Sequence, residues 1–300
     1  MTLSERRRTL IDMARLRVCA LALSLSLPIA HAATELPIEG IMDNSFLVEE
    51  AYNQEPGVVQ HILTAAWEKD LLGGVDDRRG DFSFTQEWPV GSQTHQVSYT
   101  IPYSFVRTGG QSDNGVGDIL LNYRYQAYFD EDNLTAFAPR LSVVFPTGDP
   151  DDGLGDDTYG IQVNLPFSTT FGDHWGMHAN AGVTYLPDAG IGVDKDLTHQ
   201  NVGLSAIYAP RSNLHLMVEW IGEWEQKFDP AGDRRRNFSA VISPGLRCAI
   251  NVGDAQWVLG VAAPIGLTGA AADYGAILYV SFEHLFVNRA FTMASKRRKI

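Results

Sequence analysis

Polar side chains alternate with apolar ones along several stretches of this sequence. Asn122 and Arg124, for example, alternate with Leu121, Tyr123 and Tyr125. Residues two apart in a strand point to the same face, so this pattern gathers charges of both signs on one surface. Such charges can pair across neighbouring strands and form the wall of a polar path. We expect the path to be lined by Asp118, Asn122, Arg124, Arg140, Gln162, Asn164, His178, Glu219, Arg247 and Glu283, with Gln60, Glu68, Glu87, Asn180 and Glu223 on the same face.

Two ion pairs are predicted on this polar face. Asp118 is a candidate partner of Arg124 or of Arg140, and Glu219 is a candidate partner of Arg247. The alternative is that such pairs only satisfy one another and fill a closed core. In that case the polar face would be structural, and no solute would pass along it.

An acidic stretch at residues 148–157 offers the hard oxygen ligands that Ca²⁺ prefers. Residues 153–159 match one copy of a glycine-rich calcium repeat, but such repeats bind in tandem and this copy is alone. The stretch also lacks the spacing of an EF-hand, so a solvated loop is favoured over a metal site. The candidate ligands would be Asp149, Asp151, Asp152, Asp156 and Asp157. No other metal and no cofactor is predicted.

Hydrolytic chemistry at a membrane surface would need a nucleophile, a base and an orienting group on the lipid-facing side. His61 has the apolar parity, but no serine stands in a recognisable nucleophile elbow. His178 falls on the polar face instead, and no His–Glu spacing typical of a metalloenzyme occurs. We therefore predict that the protein is not an enzyme.

The elements that must position these side chains are clearest in residues 96–129, which predict two long antiparallel strands. Val97, Tyr99 and Ile101 begin an apolar row, while Gln96 and Ser98 begin the polar row between them. The runs are about ten residues or longer, which is the length a tilted strand needs to cross a bilayer. Tyrosines at the ends of the apolar rows suit the headgroup level on each side. The apolar face is therefore expected to point toward lipid.

Twelve candidate strands follow from the same pattern, and their connections alternate between short turns and long polar loops. This alternation is typical of an even-stranded barrel with periplasmic turns and external loops, and it places both termini on the periplasmic side. Pro139 and Pro166 predict bulges or local breaks, since proline cannot donate to the ladder. The predicted fold class is all-β: a closed antiparallel up-and-down transmembrane β-barrel of about 12 strands at residues 58–286.

Residues 33–57 precede the first clear strand and form either a periplasmic tether or a short plug-like segment inside the barrel. Residues 43–45 offer helix N-caps, the run to residue 54 suits two helical turns, and Pro56 and Gly57 would end them. About eight strands give a filled barrel and about sixteen give an open channel, so twelve predict a narrow lumen. The residues expected to close it are Asp43, Asn44, Phe46, Glu49, Glu50, Tyr52, Asn53 and Gln54.

Composition sets limits on the class of protein. The 300 residues carry a net charge of -13, which argues against nucleic acid as a partner. Mean hydropathy is -0.11, and no internal run of about eighteen apolar residues exists to form a spanning helix. Alternating strands hide their lipid face from such averages, so these values are compatible with a barrel.

Residues 1–32 are predicted to be a signal peptide that is cleaved on export. Arginines precede an apolar core at residues 18–29, and Ala30-His31-Ala32 supplies the small residues of a cleavage site. The removed segment carries a net charge of +3, so -16 would remain on the mature chain. Cleavage also removes Cys19 and leaves Cys248 without a partner. We expect Cys248 to be a small apolar residue that faces lipid.

The predicted last strand ends in an apolar row formed by Leu278, Val280, Phe282 and Phe286. Phe286 would stand at the periplasmic rim, and many bacterial barrels finish with such an aromatic strand. Residues 287–300 continue beyond it as a basic C-terminal tail. This tail is expected to be solvated on the periplasmic side.

Three motifs occur together in the order found in one known family. They are Asp43-Asn44-Ser45-Phe46-Leu47-Val48-Glu49-Glu50-Ala51-Tyr52-Asn53-Gln54-Glu55-Pro56-Gly57-Val58-Val59-Gln60, Gly115-Val116-Gly117-Asp118, and the run from Pro139-Arg140-Leu141 to Phe145-Pro146-Thr147-Gly148. Over most of its mature length the chain resembles a family of outer-membrane transporters associated with the meta-cleavage pathway of phenol degradation. The resemblance implies an outer-membrane barrel and a channel for small or aromatic molecules. It implies no catalytic residues and no defined substrate.

The function predicted from these observations is passive passage of small solutes, apolar or aromatic ones among them, through a narrow lumen in the bacterial outer membrane. The expected partners are outer-membrane lipid, lipopolysaccharide and the small-molecule solute, with no nucleic acid. The sequence does not define the oligomeric state. A structural or adhesive barrel without transport is one alternative, and an outer-membrane lipase is another.

Overall fold

The computed structural model describes residues 37–70, 78–108, 110–189, 195–228 and 232–285. The predicted signal peptide, Phe286 and the basic tail lie outside these residues. Seventeen strands are present in the described part of the chain: β1 Val58–Lys69, β2 Arg78–Val90, β3 Ser92–Thr108, β4 Gln111–Val116, β5 Ile119–Tyr125, β6 Tyr128–Asp130, β7 Thr135–Phe137, β8 Arg140–Phe145, β9 Gly160–Asn164, β10 Phe167–Phe171, β11 Trp175–Ala189, β12 Lys195–Arg211, β13 Leu214–Phe228, β14 Arg234–Val252, β15 Ala255–Ala262, β16 Ile265–Gly266 and β17 Tyr274–Leu285.

The seventeen strands correspond to twelve passes of the chain along the barrel wall, called here staves. Their numbers differ because short breaks divide four of the staves into two or three strands. The fourth stave consists of β4, β5 and β6, the fifth of β7 and β8, the sixth of β9 and β10, and the eleventh of β15 and β16. Two of the interruptions fall at Pro139 and Pro166, where the sequence predicted breaks. Pro139 lies between β7 and β8, and Pro166 lies between β9 and β10, so neither has to donate to the ladder.

The sheet closes on itself. β1 pairs with β2 on one side and with β17 on the other, in a continuous antiparallel register from Val58↔Leu285 to Lys69↔Tyr274. All strand pairs described are antiparallel, and each stave pairs with its neighbours in sequence. The predicted closed, up-and-down barrel of twelve antiparallel strands is therefore confirmed.

The polarity of the barrel wall is inverted relative to that of a water-soluble protein. Leu121 is 52% exposed, whereas its neighbour Asn122 is 5% exposed. The same inversion recurs around the ring, with Leu63, Leu141 and Leu278 exposed. A continuous apolar outer surface of this extent would be costly in water, so the outer face is the one that meets acyl chains.

Aromatic residues form two belts on the outer face. At the end with short turns, Trp175 contacts Tyr208 with ring centroids 4.8 Å apart. At the end with long loops, Trp224 lies 4.7 Å from Phe238. Tryptophan and tyrosine favour the headgroup level, where an apolar ring can keep its polar atom wet. The belts thus mark the two boundaries of the lipid-facing band.

Helical structure is scarce in the described residues. A single 3-10 turn at Pro37–Gly40 precedes the barrel. No helix in this part of the chain is both long and apolar enough to span a membrane. The two helical turns predicted for residues 43–54 are wrong, since these residues form bends and extended backbone. Their backbone amides bind side chains of the barrel wall instead of one another.

Candidate functional site in the barrel interior

The segment of residues 43–54, called here the N-terminal segment, contacts interior-facing side chains around most of the ring. It makes no strand ladder. Instead its amide groups donate to side-chain oxygens, among them those of Glu219, Asn180, Ser168 and Gln96. Since those acceptors stand on β13, β11, β10 and β3, the contacts come from widely separated parts of the wall.

The first half of the N-terminal segment, residues 43–48, is anchored by Asp43. Its carboxylate accepts hydrogen bonds from Tyr279 Oη at 2.6 Å and Gln60 Nε2 at 2.9 Å, and it contacts the hydroxyl of Ser281. The guanidinium of Arg247 donates to the Asp43 carbonyl at 2.8 Å. Charged groups that are this deeply buried need such hydrogen bonds to offset their lost hydration.

Phe46 occupies a depression in the wall where two glycines face inward, Gly245 on β14 and Gly260 on β15. A Cβ atom at Gly245 would lie 2.5 Å from Phe46 Cε2, and one at Gly260 would overlap the same ring. The Tyr279 ring meets Phe46 edge-on, with centroids 5.6 Å apart. Only glycine therefore allows the ring to lie against this part of the wall.

The second half, residues 49–54, is held by Arg124, which is 2% exposed. Its guanidinium donates to the Asn53 side-chain oxygen and the Tyr52 carbonyl, both at 2.7 Å, and to the Glu50 carbonyl at 3.1 Å. A further carboxylate, that of Glu87, lies 3.6 Å away. The planar guanidinium supplies five N–H donors, which explains how one arginine side chain binds three residues of the N-terminal segment.

Glu49 links the N-terminal segment to two arginines. Its carboxylate oxygens lie 2.9 Å from Arg140 Nε and 3.3 Å from Arg124 Nη1, and Asn164 donates at 2.7 Å. Burial acts to raise the pKa of Glu49, but Arg140 and Arg124 outweigh it, so the pKa lies below its usual range. The carboxylate is therefore ionised at neutral pH.

Glu50 differs from its neighbour. Its side chain is 1% exposed, and its backbone amide donates to the Asn44 side-chain oxygen at 2.9 Å. Burial, reinforced by the charge of Asp43, raises the pKa of Glu50 well above its usual range. The two adjacent carboxyls are thus driven in opposite directions by their surroundings, and Glu50 favours the neutral form.

A cavity of about 280 Å³ lies above the N-terminal segment, on the side of the long loops. Phe46, Leu47 and Val48 form its floor. The wall consists of Ile62, Thr64, Thr85, Glu87, Ser98, Thr100, Leu120, Asn122, Arg140 and Tyr279. Asn44, Ser45 and Glu49 of the N-terminal segment also contribute, so the lining mixes charged, hydroxyl and amide groups with apolar surface.

Both predicted ion pairs are wrong. Arg124 and Arg140 pair with Glu49, while Asp118 accepts the backbone amides of Gly148 at 2.9 Å and Asp156 at 3.0 Å. Glu219 accepts the amides of Leu47 at 2.9 Å and Val48 at 3.0 Å instead of binding Arg247. The N-terminal segment supplies partners that strand pairing alone does not reveal.

The remaining predicted residues contact neighbouring parts of the wall. Gln162 donates to Thr184 at 2.9 Å, and Asn122 accepts from Arg140 at 2.9 Å. His178 contacts the Ser168 hydroxyl through Nδ1 at 2.8 Å. Glu283 stands opposite Gln60 in the closing register. All of these residues lie on the inner face of the barrel.

The acidic loop does not gather its carboxylates. Asp149 accepts the amide of Asp151 at 3.0 Å, and Leu154 folds back so that it is 9% exposed. In the described part of the chain, no three His, Cys, Asp or Glu side chains are grouped so that they could hold a metal ion.

Cys248 is a free thiol with partial exposure.

Several interior residues that bind the N-terminal segment are absent from the predicted lining of the path. Gln96 accepts the amide of Gln54 at 2.7 Å, and Gln126 donates to the Ala51 carbonyl at 3.0 Å. Both have the parity of the polar face, so alternation could have identified them. Ser168 and the inward glycines carried no comparable signal, because a small residue fits either face of a strand.

A sequence profile described as "Putative MetA-pathway of phenol degradation" matches residues 61–283. This match extends over most of the chain. The protein belongs to that family. None of the curated protein sequences matches the chain.

Solved structures share the fold at low sequence identity. An outer membrane channel from Pseudomonas putida F1 is similar with a TM-score of 0.57 and 11% identity, over 78% of this chain and 97% of that one. The NanC porin has a TM-score of 0.46 and 8% identity over 75% and 98%, and the CymD monoaromatic hydrocarbon channel has 0.42 and 9% over 78% and 90%. The first shows the fold alone, and the scores of the other two are too low to bear on function.

Proposed function

We propose that this family member is an outer-membrane channel that lets small solutes diffuse passively, and that its N-terminal segment is the plug that closes the lumen. The observation that carries the proposal is how the segment is held. Its backbone binds wall side chains around the ring and makes no ladder, so it can leave without opening the barrel. A purely structural filler would not require a detachable segment.

The substrate class follows from the cavity above the N-terminal segment. Its volume of about 280 Å³ suits one small molecule, and its lining combines apolar side chains and hydroxyl groups with Glu87 and the paired charges of Glu49 and Arg140. Because the arginine in this lining is already paired with a carboxylate, we infer that the preferred solutes are small and uncharged, with aromatic compounds among them. The family description supports this class only by analogy.

We propose no catalytic role. Ser168 and His178 are in contact, but Ser168 is fully buried and accepts the amide of Ala51 at 2.8 Å. The pair lies in the interior, away from lipid ester bonds, and it is occupied in holding the N-terminal segment.

We further propose that the protein reaches the outer membrane after cleavage of residues 1–32.

The test is solute flux through the purified barrel in liposomes, with the wild type compared with a variant lacking residues 43–54. We expect the deletion to raise ion conductance and uptake of small neutral solutes severalfold. A gel that compares boiled and unboiled samples shows that the deleted variant still forms a barrel. If a folded deletion variant conducts no better than the wild type, the proposed plug is wrong. If neither conducts at all, the alternative of a structural barrel is supported.

A further inference from the structure

The Phe46 ring fills a socket that belongs to the barrel wall, although Phe46 itself does not. The floor of this socket is formed by Gly245 and Gly260, and its side is formed by the edge of Tyr279. Ile62 and Ala262 belong to the same buried apolar cluster. Two inward glycines on adjacent strands leave a depression of ring size in the wall. The depression is thus formed by wall residues and not by the N-terminal segment.

The socket differs chemically from the other contacts of the N-terminal segment. Elsewhere the segment is held by hydrogen bonds, for example from Leu47 to Glu219 and from Gln54 to Gln96. The amide of Phe46 also bonds to Glu219, but its ring is held by shape and apolar surface alone. Such a site can accept any flat apolar ring of the right size, since no directional hydrogen bond selects the Phe46 ring.

The socket also opens toward the cavity. Phe46, which fills the socket, also lines the cavity of about 280 Å³ above the N-terminal segment. Ile62 and Tyr279 belong to the apolar cluster around the socket and line the same cavity. A molecule in that cavity is thus separated from the glycine floor only by the Phe46 ring. Apolar cavities of about 150 Å³ in another protein stay dry and bind benzene, so a vacated ring site of this kind suits the same ligand chemistry.

We propose that the socket of Gly245, Gly260 and Tyr279 is a binding subsite for a single apolar six-membered ring of the solute, and that Phe46 is its built-in competitor. The inference rests on the proposed function of the barrel as a channel. Entry of a ring into the socket displaces Phe46 and removes the shape contact of the first half of the N-terminal segment. The solute therefore promotes its own passage.

The test measures binding of fluorobenzene to the mature barrel in detergent, by ¹⁹F NMR. Wild type, Phe46→Ala, Phe171→Ala and the double variant Phe46→Ala/Gly260→Leu are compared. Phe171 is 55% exposed and lies outside the socket and the cavity, so Phe171→Ala is the matched control. In the double variant the new leucine refills the vacated socket from the wall.

We expect Phe46→Ala to bind fluorobenzene at least about tenfold more tightly than the wild type, because the competitor no longer occupies the site. Phe171→Ala should bind as the wild type does, and the double variant should lose the gain. Migration of unboiled samples verifies that each variant is folded. A folded Phe46→Ala variant without tighter binding overturns the proposal, and so does a double variant that keeps the gain.

Flux measurements on the same variants separate this inference from the proposed function. If Phe46→Ala raises ion conductance without binding fluorobenzene, the channel stands and the ring subsite is wrong. If fluorobenzene binds as expected but no variant conducts, the ring subsite stands and the transport role is wrong.

Discussion

The two halves of the N-terminal segment are buried to a similar extent but are held by different physical means. Around residues 43–48 the buried carboxyls are bound by dipoles: Asp43 by side-chain donors, and one oxygen of Glu219 by backbone amides. The Phe46 ring adds a closely packed apolar contact with Gly245 and Gly260. In residues 49–54 opposite charges meet directly, with Glu49 between Arg124 and Arg140. One half is therefore sensitive to side-chain volume, and the other to charge.

The inward-facing side chains of the wall differ in size in the same way. The strands facing the first half carry inward glycines, such as Gly203 beside Val48 and Gly260 beside Phe46. Among the described residues, the strands facing the second half carry no such glycine contact but long side chains such as Arg124, and Arg247 reaches the first half in the same way. Small residues admit an apolar ring close to the backbone, whereas long ones reach out to a backbone that stays farther away. The halves should respond separately to substitution.

The largest effect is expected for Arg124→Met, which removes the main support of the second half. Loss of the cation leaves the buried carboxyl of Glu87 without an ion-pair partner and leaves Glu49 with Arg140 alone, at a cost of about 3–5 kcal/mol in the free energy of unfolding. Conductance in planar bilayers should rise and the denaturant midpoint should fall. The exposed Arg107, changed to Met, serves as the control. A variant of lower stability that stays closed would show that Arg124 supports only the wall.

Glu49→Gln should have the next largest effect, about 1.5–3 kcal/mol, because Arg140 and Arg124 would then donate to a neutral amide oxygen in place of a carboxylate. The pKa of Glu49 is lowered, so its contribution is fully present above the ordinary glutamate pKa of about 4.3 and is lost as pH falls through the lower folded value. Wild-type conductance should therefore rise in acid. The variant should lack that step, whereas Glu131→Gln, in an exposed turn, should retain it. An identical acid response in all three would assign it to other groups.

Alternation in the sequence predicts the barrel and its polarity, since a period of two is fixed by strand geometry and only the surrounding solvent decides which face is apolar. It also assigns Arg124, Arg140 and Glu219 to the interior. It could not find their partners, because Glu49 and the amide of Leu47 come from outside the strands. The predicted helix failed for the same reason: Asp43 and Ser45 bind the wall, and among the described backbone amides Asp43 accepts only the adjacent one of Asn44 and not one two or three residues on, as a helix cap would.

Gly260→Ala tests the first half by volume alone. The added methyl group overlaps the Phe46 ring, and overpacking of this kind costs about 1–3 kcal/mol. We expect the ring to leave its socket and conductance to rise, with the acid step of Glu49 unchanged. Gly269 has open space at its Cβ position, so Gly269→Ala is the matched control and should be silent. If Gly260→Ala abolished the acid step as well, the two halves would have to move as one unit.

Ser45→Ala is expected to have the smallest effect. The Ser45 hydroxyl lies 2.7 Å from that of Ser205, and both groups are neutral, so the loss should be about 0.5–1.5 kcal/mol. Much of that cost comes from leaving Ser205 buried without a partner, so the double variant Ser45→Ala/Ser205→Ala should recover part of it. Unfolding of the four proteins in a double-mutant cycle measures this coupling. Combined with Glu49→Gln, Ser45→Ala should add without coupling, since the two sites share no partner. A coupling well above about 0.5 kcal/mol would mean that charge and shape are not divided between the halves.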